Sequence, residues 1–266
     1  MKILIVGSEG FIGSFLYKRL SENYQVYTIT KNNIDVLNTK AVTDYLKLIM
    51  PDIIINCLTF GGKEKVNNIN SEDVGNNLRL LYNFYINQDS FKLFINIGSG
   101  AEFDRRRHIY FAKEHEIFIN NPIDAYGFSK NLIARHIHNN KKFTTLRVFG
   151  CFGSTEQDTR LLKRYSSSEN LILIDKYFDY ISILDFYNIL LYVIQNKIAG
   201  EDINCTYDEK ITLSEFLSRY DAIYNRPKRY IVENFSEYSY IGDCDKLKKL
   251  DIPLLGINES LKKYHE

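Results

Sequence analysis

Cysteine is scarce in this chain, and its few copies are not arranged to hold a metal. Cys57, Cys151, Cys205 and Cys244 stand far apart in 266 residues, without a paired ligand spacing. In a chain of this length they read as reduced thiols, and no metal site is expected. An excess of charge is also missing: 34 basic against 33 acidic side chains leave a net +1. That balance gives no reason to expect nucleic acid or a membrane surface as a partner. Long apolar runs are absent as well. The first, Ile3 to Val6, is too short for a signal-peptide core, and no segment approaches the length of a membrane span. The expected location is therefore cytoplasmic. No repeat, low-complexity tract or long linker interrupts the sequence. Its one basic cluster, Arg105-Arg106-Arg107-His108, reads as a solvated loop ahead of a phosphate clamp.

What is present is ordinary for a globular protein, with 45% hydrophobic and 25% charged residues, enough for one substantial core. Apolar runs alternate with helix-period segments through the first half. Strands are expected near 2–6, 25–30, 53–57, 91–97 and 143–148, and helices near 11–22, 39–49, 72–88 and 125–139. Such alternation means βαβ units and a parallel sheet with helices on both faces. Runs such as Ile53-Ile54-Ile55 suit strands buried on both sides. Past Gly150 the rhythm changes, to short strands near 171–174 and 178–183 and a helix near 184–196.

Three motifs carry chemistry. The strand at 2–6 runs into Gly7-Ser8-Glu9-Gly10-Phe11-Ile12-Gly13 and then a helix. Tyr126 and Lys130 lie four residues apart in Ala125-Tyr126-Gly127-Phe128-Ser129-Lys130, so a helix puts them on one face. An ammonium beside a phenol favours the phenolate, which makes the phenol a usable acid or base near neutral pH. Ser99, just after an apolar strand, can hydrogen-bond the same substrate oxygen. Alone, each motif is weak. In this order they point to a nucleotide cofactor and a proton donor in one site.

These residues resemble the extended branch of the short-chain dehydrogenase/reductase superfamily, and within it the nucleotide-sugar epimerases, dehydratases and reductases. The resemblance runs from Lys2 to about Leu217. It also rests on Asp35-Val36-Leu37, Pro51-Asp52-Ile53-Ile54-Ile55-Asn56, Gly98-Ser99-Gly100-Ala101-Glu102-Phe103 and Phe178-Asp179-Tyr180-Ile181-Ser182-Ile183-Leu184-Asp185. It implies an α/β fold, a Rossmann-type doubly wound parallel sheet. Residues 1–150 would form the NAD(P)-binding domain, and 151–266 a small C-terminal substrate-binding lobe partly interleaved with the sheet. Gly7 would permit the tight turn, Gly10 the approach of pyrophosphate, and Gly13 close helix–strand packing, with Phe11 and Ile12 opening the helix whose N-terminus meets phosphate. Asp35 and Val36 would take the adenine end, and Leu58 and Thr59 the ribose and pyrophosphate. Lys130 would also donate to the nicotinamide ribose. Where an NAD-binding relative carries an acid after the second strand, this chain has Lys31, placed for a 2′-phosphate. NADP(H) is therefore favoured, with NAD(H) the alternative. Gly100, Ala101 and Arg147 are the substrate-side positions. A homodimer, formed through a helix pair, is the family's common state.

Missing residues narrow the reaction. Sugar 4,6-dehydratases carry an Asp-Glu pair directly after the catalytic Ser or Thr, and here those positions are Gly100 and Ala101. Glu102 comes one residue late, on the opposite side of what should be an extended segment. Asp35-Val36-Leu37 and Thr59-Phe60-Gly61-Gly62 resemble GDP-fucose synthases, which epimerise with a Cys two residues past the Ser and a distant His. Ala101 fills the Cys position, and no histidine lies between His138 and His265. The strand end and compact length also resemble CDP-sugar 4-ketoreductases. The expected activity is NADPH-dependent reduction of a nucleotide-linked 4-keto-6-deoxy sugar for surface polysaccharide, with Ser99, Tyr126 and Lys130 catalytic. An NAD-dependent nucleotide-sugar 4-epimerase remains the alternative. A non-catalytic NADPH-binding protein would have no use for the phenol.

Overall fold

The computed structural model describes residues 1–61 and 71–265, so Gly62 of the Thr59–Gly62 string lies outside the described residues. The chain begins β1 (Lys2–Val6), α1 (Phe11–Leu20), β2 (Gln25–Ile29), α2 (Thr39–Ile49), β3 (Ile53–Asn56), α3 (Ser71–Tyr85) and β4 (Leu93–Ser99). It continues with β5 (Ile109–Ala112), α4 (Ala125–Ile137), β6 (Phe143–Val148), β7 (Cys151–Phe152), α5 (Leu161–Ser167), β8 (Leu171–Asp175) and β9 (Ile181–Ser182). The remainder is α6 (Ile183–Asn196), β10 (Asp202–Cys205), α7 (Leu213–Tyr224), β11 (Tyr230–Phe235), β12 (Tyr240–Gly242), α8 (Asp245–Lys249) and α9 (Gly256–Lys262). Two compact units result. The first comprises Met1–Asp104, His115–Arg147 and Val193–Ile203; the second comprises Arg105–Glu114, Val148–Tyr192 and Asn204–Glu266.

The first unit is built on a six-stranded sheet in the order β10-β6-β4-β3-β1-β2. β1 pairs in parallel with β2 on one side and with β3 on the other, and β3 pairs in parallel with β4. Ile3, Leu4, Ile5 and Val6 are wholly buried, which is why β1 is apolar without alternation. Because the chain passes from β1 to β2 and then returns to β3 beyond β1, the strand order reverses at β1/β3. Ligands of doubly wound sheets bind at such a point.

Helices cover the sheet by ordinary amphipathic logic. α2 turns Val42, Leu46 and Ile49 inward, is capped by Asn38 accepting from the Ala41 N–H, and ends at Met50 with φ 45°. Each such aliphatic side chain, once buried, contributes roughly 1.5–3 kcal/mol. Phe84, Phe91, Phe94 and Phe143 fill the core beside Ile133 and Ile137 of α4. Several boundaries differ from the sequence expectation, two of them near the site. α3 stops at Tyr85, with Gln88–Ser90 forming a separate 3₁₀ turn, and β4 runs on through Ser99.

The second unit has three parallel strand pairs, β5 with β12, β8 with β11 and β7 with β9. The strand expected at 178–183 is shorter, with only Ile181–Ser182 regular and Phe178 bridged singly to Tyr240. Aromatic packing holds this unit, with Tyr180 stacked on Phe216 at 4.6 Å and Phe152 edge-on to Phe216 at 5.2 Å. A buried polar knot accompanies it. The Tyr207 hydroxyl donates to Asp185 Oδ2 at 2.5 Å, and the Asp185 carboxylate accepts from the Leu255 and Gly256 N–H groups at the start of α9.

Candidate active site

The turn after β1 is shaped by what its residues lack. Gly7 has φ +84°, and a Cβ there would lie 2.8 Å from the Leu58 backbone nitrogen. A Cβ on Gly13 would meet the Gly7 carbonyl oxygen at 2.1 Å, so this glycine lets α1 press against the turn. Gly10 is different: a Cβ there would find only the Gly7 oxygen, at 3.7 Å, so its exposed face is open. Gly10 is the N-cap of α1 and supplies no side-chain cap, and no acid occupies the first turn. The α1 N–H groups starting at Phe11 and Ile12 thus meet a dipole-favoured, sterically clear corner at the sheet's switch point. The arrangement fits a dinucleotide's pyrophosphate.

Around that corner, the other cofactor-side positions vary in setting. Leu58 and Thr59 are half-buried after β3; the Thr59 hydroxyl donates to Asn77 Oδ1 at 3.2 Å. Val36 is buried, and its carbonyl accepts from Asn83 Nδ2 at 2.8 Å, while Asp35 is exposed and accepts from the Leu37 N–H. Lys31 is exposed beyond β2. Glu9 was not singled out by the sequence reading. It accepts from Asn32 Nδ2 at 3.0 Å, which ties the glycine turn to the loop that carries Lys31. A carboxylate between two of the turn's glycines was a visible signal.

Ser99, Tyr126 and Lys130 all belong to the first unit, on neighbouring elements. α4 starts at an Asp124 cap, whose Oδ1 accepts from the Gly127 N–H at 2.8 Å. A Cβ on Gly127 would lie 2.5 Å from the Ala101 carbonyl oxygen, so the first turn of α4 is pressed onto the Gly100–Glu102 turn that follows Ser99. Asn131 adds a bond from Nδ2 to the Glu102 carbonyl at 2.7 Å. Lys130 is 4% exposed, and its Nζ donates to the Ile97 carbonyl of β4 at 2.9 Å. Tyr126 is half-buried at the start of α4. Asn77 links the loop after β3 to α4, accepting from the Phe60 N–H and donating to Ser129 Oγ at 3.1 Å.

Glu102 corrects one expectation. The segment after Ser99 is not extended but a 3₁₀ turn, and Glu102 folds back so that its Oε1 accepts from the Ser99 N–H at 2.8 Å. Its other oxygen accepts from Arg147 Nε at 2.5 Å, and both side chains are fully buried. Burial pushes the Glu102 carboxyl upward, opposed by the Arg147 guanidinium and the Ser99 amide. Arg147, expected on the substrate side, thus has its guanidinium inside the protein against Glu102 and the Phe103 ring. Gly100 and Ala101 are buried in the same turn.

Within the second unit a cavity of about 470 Å³ is lined in part by Arg160, Arg164, Lys176, Phe149, Phe178 and Tyr180. Burial, helped by the charge of Arg105, pulls the Lys176 ammonium down. Basic side chains and aromatic rings lining one cavity suit a ligand combining phosphates with a flat ring. Arg105 to His108 are exposed, and His108 Nδ1 accepts from the Ser239 N–H at 3.2 Å.

A doubly wound sheet with a glycine turn at its switch point and a Ser/Tyr/Lys set beside it defines a nicotinamide-dinucleotide enzyme. The chain belongs to the NAD dependent epimerase/dehydratase family, whose model matches residues 3–206. It is accordingly an NAD(P)-dependent oxidoreductase. No curated protein sequence matches it. Among solved structures it is similar to a GDP-mannoheptose C4 reductase from Campylobacter jejuni with NADP bound (16% identity, 99% of this chain and 97% of that one, TM-score 0.82). It is also similar to a dTDP-4-dehydrorhamnose reductase from Clostridium acetobutylicum (20% identity, 99% and 98%, TM-score 0.77). A third likeness is to the UDP-glucose 4-epimerase of Thermotoga maritima with UDP-glucose (19% identity, 100% and 97%, TM-score 0.77). At these identities the likenesses speak for the fold. Among the described residues no helix is long and apolar enough to cross a membrane.

Proposed function

We propose that the protein reduces the 4-keto group of a nucleotide-linked 6-deoxy sugar, with NADPH as reductant, in the making of a surface-polysaccharide sugar. The observation that carries this reading is the state of Glu102. It is the one carboxylate in the turn after Ser99, and both of its oxygens are engaged, by the Ser99 amide and by Arg147. The neighbouring positions, Gly100 and Ala101, offer neither acid nor base. Elimination of water and epimerisation at C3 or C5 need such a group beside the ring; reduction needs only a proton donor for the oxygen.

The chain's own residues supply that proton. The Tyr126 phenol donates to the carbonyl oxygen and Ser99 Oγ–H holds the same oxygen, with Lys130 one helical turn further along α4. A bound nicotinamide supplies the hydride. Lys130, fixed by the Ile97 carbonyl, keeps further N–H groups for a ribose. The cationic, aromatic cavity of the second unit supports a nucleoside diphosphate as the sugar's carrier, and that unit as the substrate lobe.

Lys31 supports NADPH over NADH, and Glu9 limits the preference, because a carboxylate repels a 2′-phosphate and receives a 2′-hydroxyl. Glu9 is also the observation that favours the second reading, an NAD-dependent 4-epimerase. Such an enzyme purifies with NAD⁺ tightly held, whereas the reductase exchanges its cofactor each turnover. The cofactor found on the purified protein separates the reductase from the 4-epimerase, and the reaction run in heavy water separates simple reduction from reduction coupled to epimerisation at C3 or C5. The product should carry no solvent deuterium at C3 or C5, and label at C4 only when deuterated NADPH is used. Deuterium at C3 or C5 above the uncatalysed background would overturn the reductase reading.

A further inference from the structure

Two reciprocal bonds close the turn after β4. Ser99 Oγ accepts from the Ala101 N–H at 3.2 Å, and Glu102 Oε1 accepts from the Ser99 N–H at 2.8 Å. The first bond engages an oxygen lone pair, so the Ser99 hydroxyl proton is left to be donated elsewhere. The second bond holds the turn that makes the first one possible. Glu102 in turn is held by Arg147, whose Nε lies 2.5 Å from Oε2 and whose guanidinium carbon lies 5.3 Å from the centre of the Phe103 ring. Neither side chain of the pair has any solvent exposure. The carboxylate occupies the space that a side chain at Gly98 would take: a Cβ there would lie 2.5 Å from Glu102 Oε1 and 2.7 Å from Thr145 Cγ2.

We propose that Glu102, anchored by Arg147, is the positioning residue that sets Ser99 as a hydrogen-bond donor to the substrate carbonyl. The inference rests on the reading of Ser99 as the group that holds this oxygen. Glu102 acts through the Ser99 amide and is closed off from solvent, so it has no direct part in the chemistry. A pair serving stability alone is replaceable by apolar side chains of similar volume. A positioning pair is not, because no hydrocarbon accepts from the Ser99 N–H.

The experiment compares kcat and NADPH affinity for the wild type, Ser99→Ala, Glu102→Gln, the double variant Glu102→Leu/Arg147→Met, and that double variant combined with Ser99→Ala. The probes are the CDP-, GDP- and dTDP-linked 4-keto-6-deoxyhexoses. Ser99→Ala should lower kcat by about a hundredfold, the scale of one lost oxyanion donor. The double variant should lose about tenfold to a hundredfold in kcat from misorientation. It should keep a cooperative melt and bind NADPH within about twofold of wild type, since it leaves the glycine turn intact. Glu102→Gln keeps the side-chain volume and an oxygen that accepts from the Ser99 N–H, so it should stay within about threefold of wild-type kcat, and a larger loss in that folded variant would also overturn the role, even if the double variant folds poorly. The decisive arm is the triple variant, which should be no slower than Ser99→Ala, because Glu102 acts only through that hydroxyl. Wild-type kcat in a folded double variant, or losses that multiply in the triple, would overturn the role of Glu102. Wild-type kcat in Ser99→Ala, or no turnover of any of the three sugars, would instead overturn the reading of the site and the inference with it.

Discussion

The turns that follow β1 and β4 do comparable jobs by opposite means. The first is made by removing side chains: Gly7, Gly10 and Gly13 leave backbone N–H groups, a helix dipole and open space. The second is made by adding them: Glu102 and Arg147 fill the interior behind Ser99 with a buried ion pair. The difference follows from what each turn would meet. A pyrophosphate is large, fixed in charge and satisfied by backbone donors, so the protein has only to stand clear. A carbonyl oxygen accepting a proton needs one hydroxyl aimed to within a fraction of an ångström, and aim requires bracing.

That contrast can be broken by substitution, beginning with the site it serves. Tyr126→Phe should lower turnover by about 10²–10⁴-fold while NADPH affinity stays nearly unchanged. Near wild-type turnover on the right sugar would separate α4 from the chemistry altogether. Next in size is the bracing. Arg147→Met alone leaves the Glu102 carboxylate buried and unopposed, and should cost about 3–5 kcal/mol in a denaturant titration. A loss below about 1 kcal/mol, the scale of an exposed pair, would show that the pair is not what holds this turn.

The glycine turn sharpens the comparison from the other side. Gly13→Ala forces a Cβ against the Gly7 oxygen and should destabilise the fold by about 1–3 kcal/mol. Gly10→Ala has open space before it, so the melting temperature should hold while NADPH binding weakens. Matching effects of the two substitutions in both assays would refute the division of labour among the glycines. The smallest effect concerns the cofactor's edge. Wild type should prefer NADPH to NADH by about tenfold, from one charge-assisted contact at an exposed site. Lys31→Ala should erase the preference and Glu9→Gln should widen it, both read from paired titrations. Equal affinities in the wild type would remove Lys31 from the site.

The legibility of the two turns in the sequence differed for the same physical reason that their construction did. A glycine has few reasons to recur every three residues after an apolar strand, so Gly7, Gly10 and Gly13 announced a phosphate corner directly. The sheet was legible too, since Ile3 to Val6 and Ile53 to Ile55 could be uniformly apolar only if covered on both faces. The bracing behind Ser99 was not legible. Glu102 and Arg147 are ordinary surface residues by composition, and nothing local says that a β4 turn and a β6 strand will meet. The error about Glu102 arose there: an extended chain would have turned it away, and the 3₁₀ turn brought it back. Asn77, which joins Phe60 to Ser129 from α3, was hidden for the same reason.

The Glu102–Arg147 pair also constrains how this protein could have arisen. Its members are 45 positions apart in the chain, yet each is tolerable inside the protein only because of the other. A lineage that loses one first passes through a form carrying a lone buried charge, so single steps in either direction meet a barrier that the paired change does not. The two positions should therefore be exchanged together among descendants, as acid with base or as two apolar residues. Collections of related sequences should rarely hold the mixed forms, and those that do should carry a compensating partner close to the same turn.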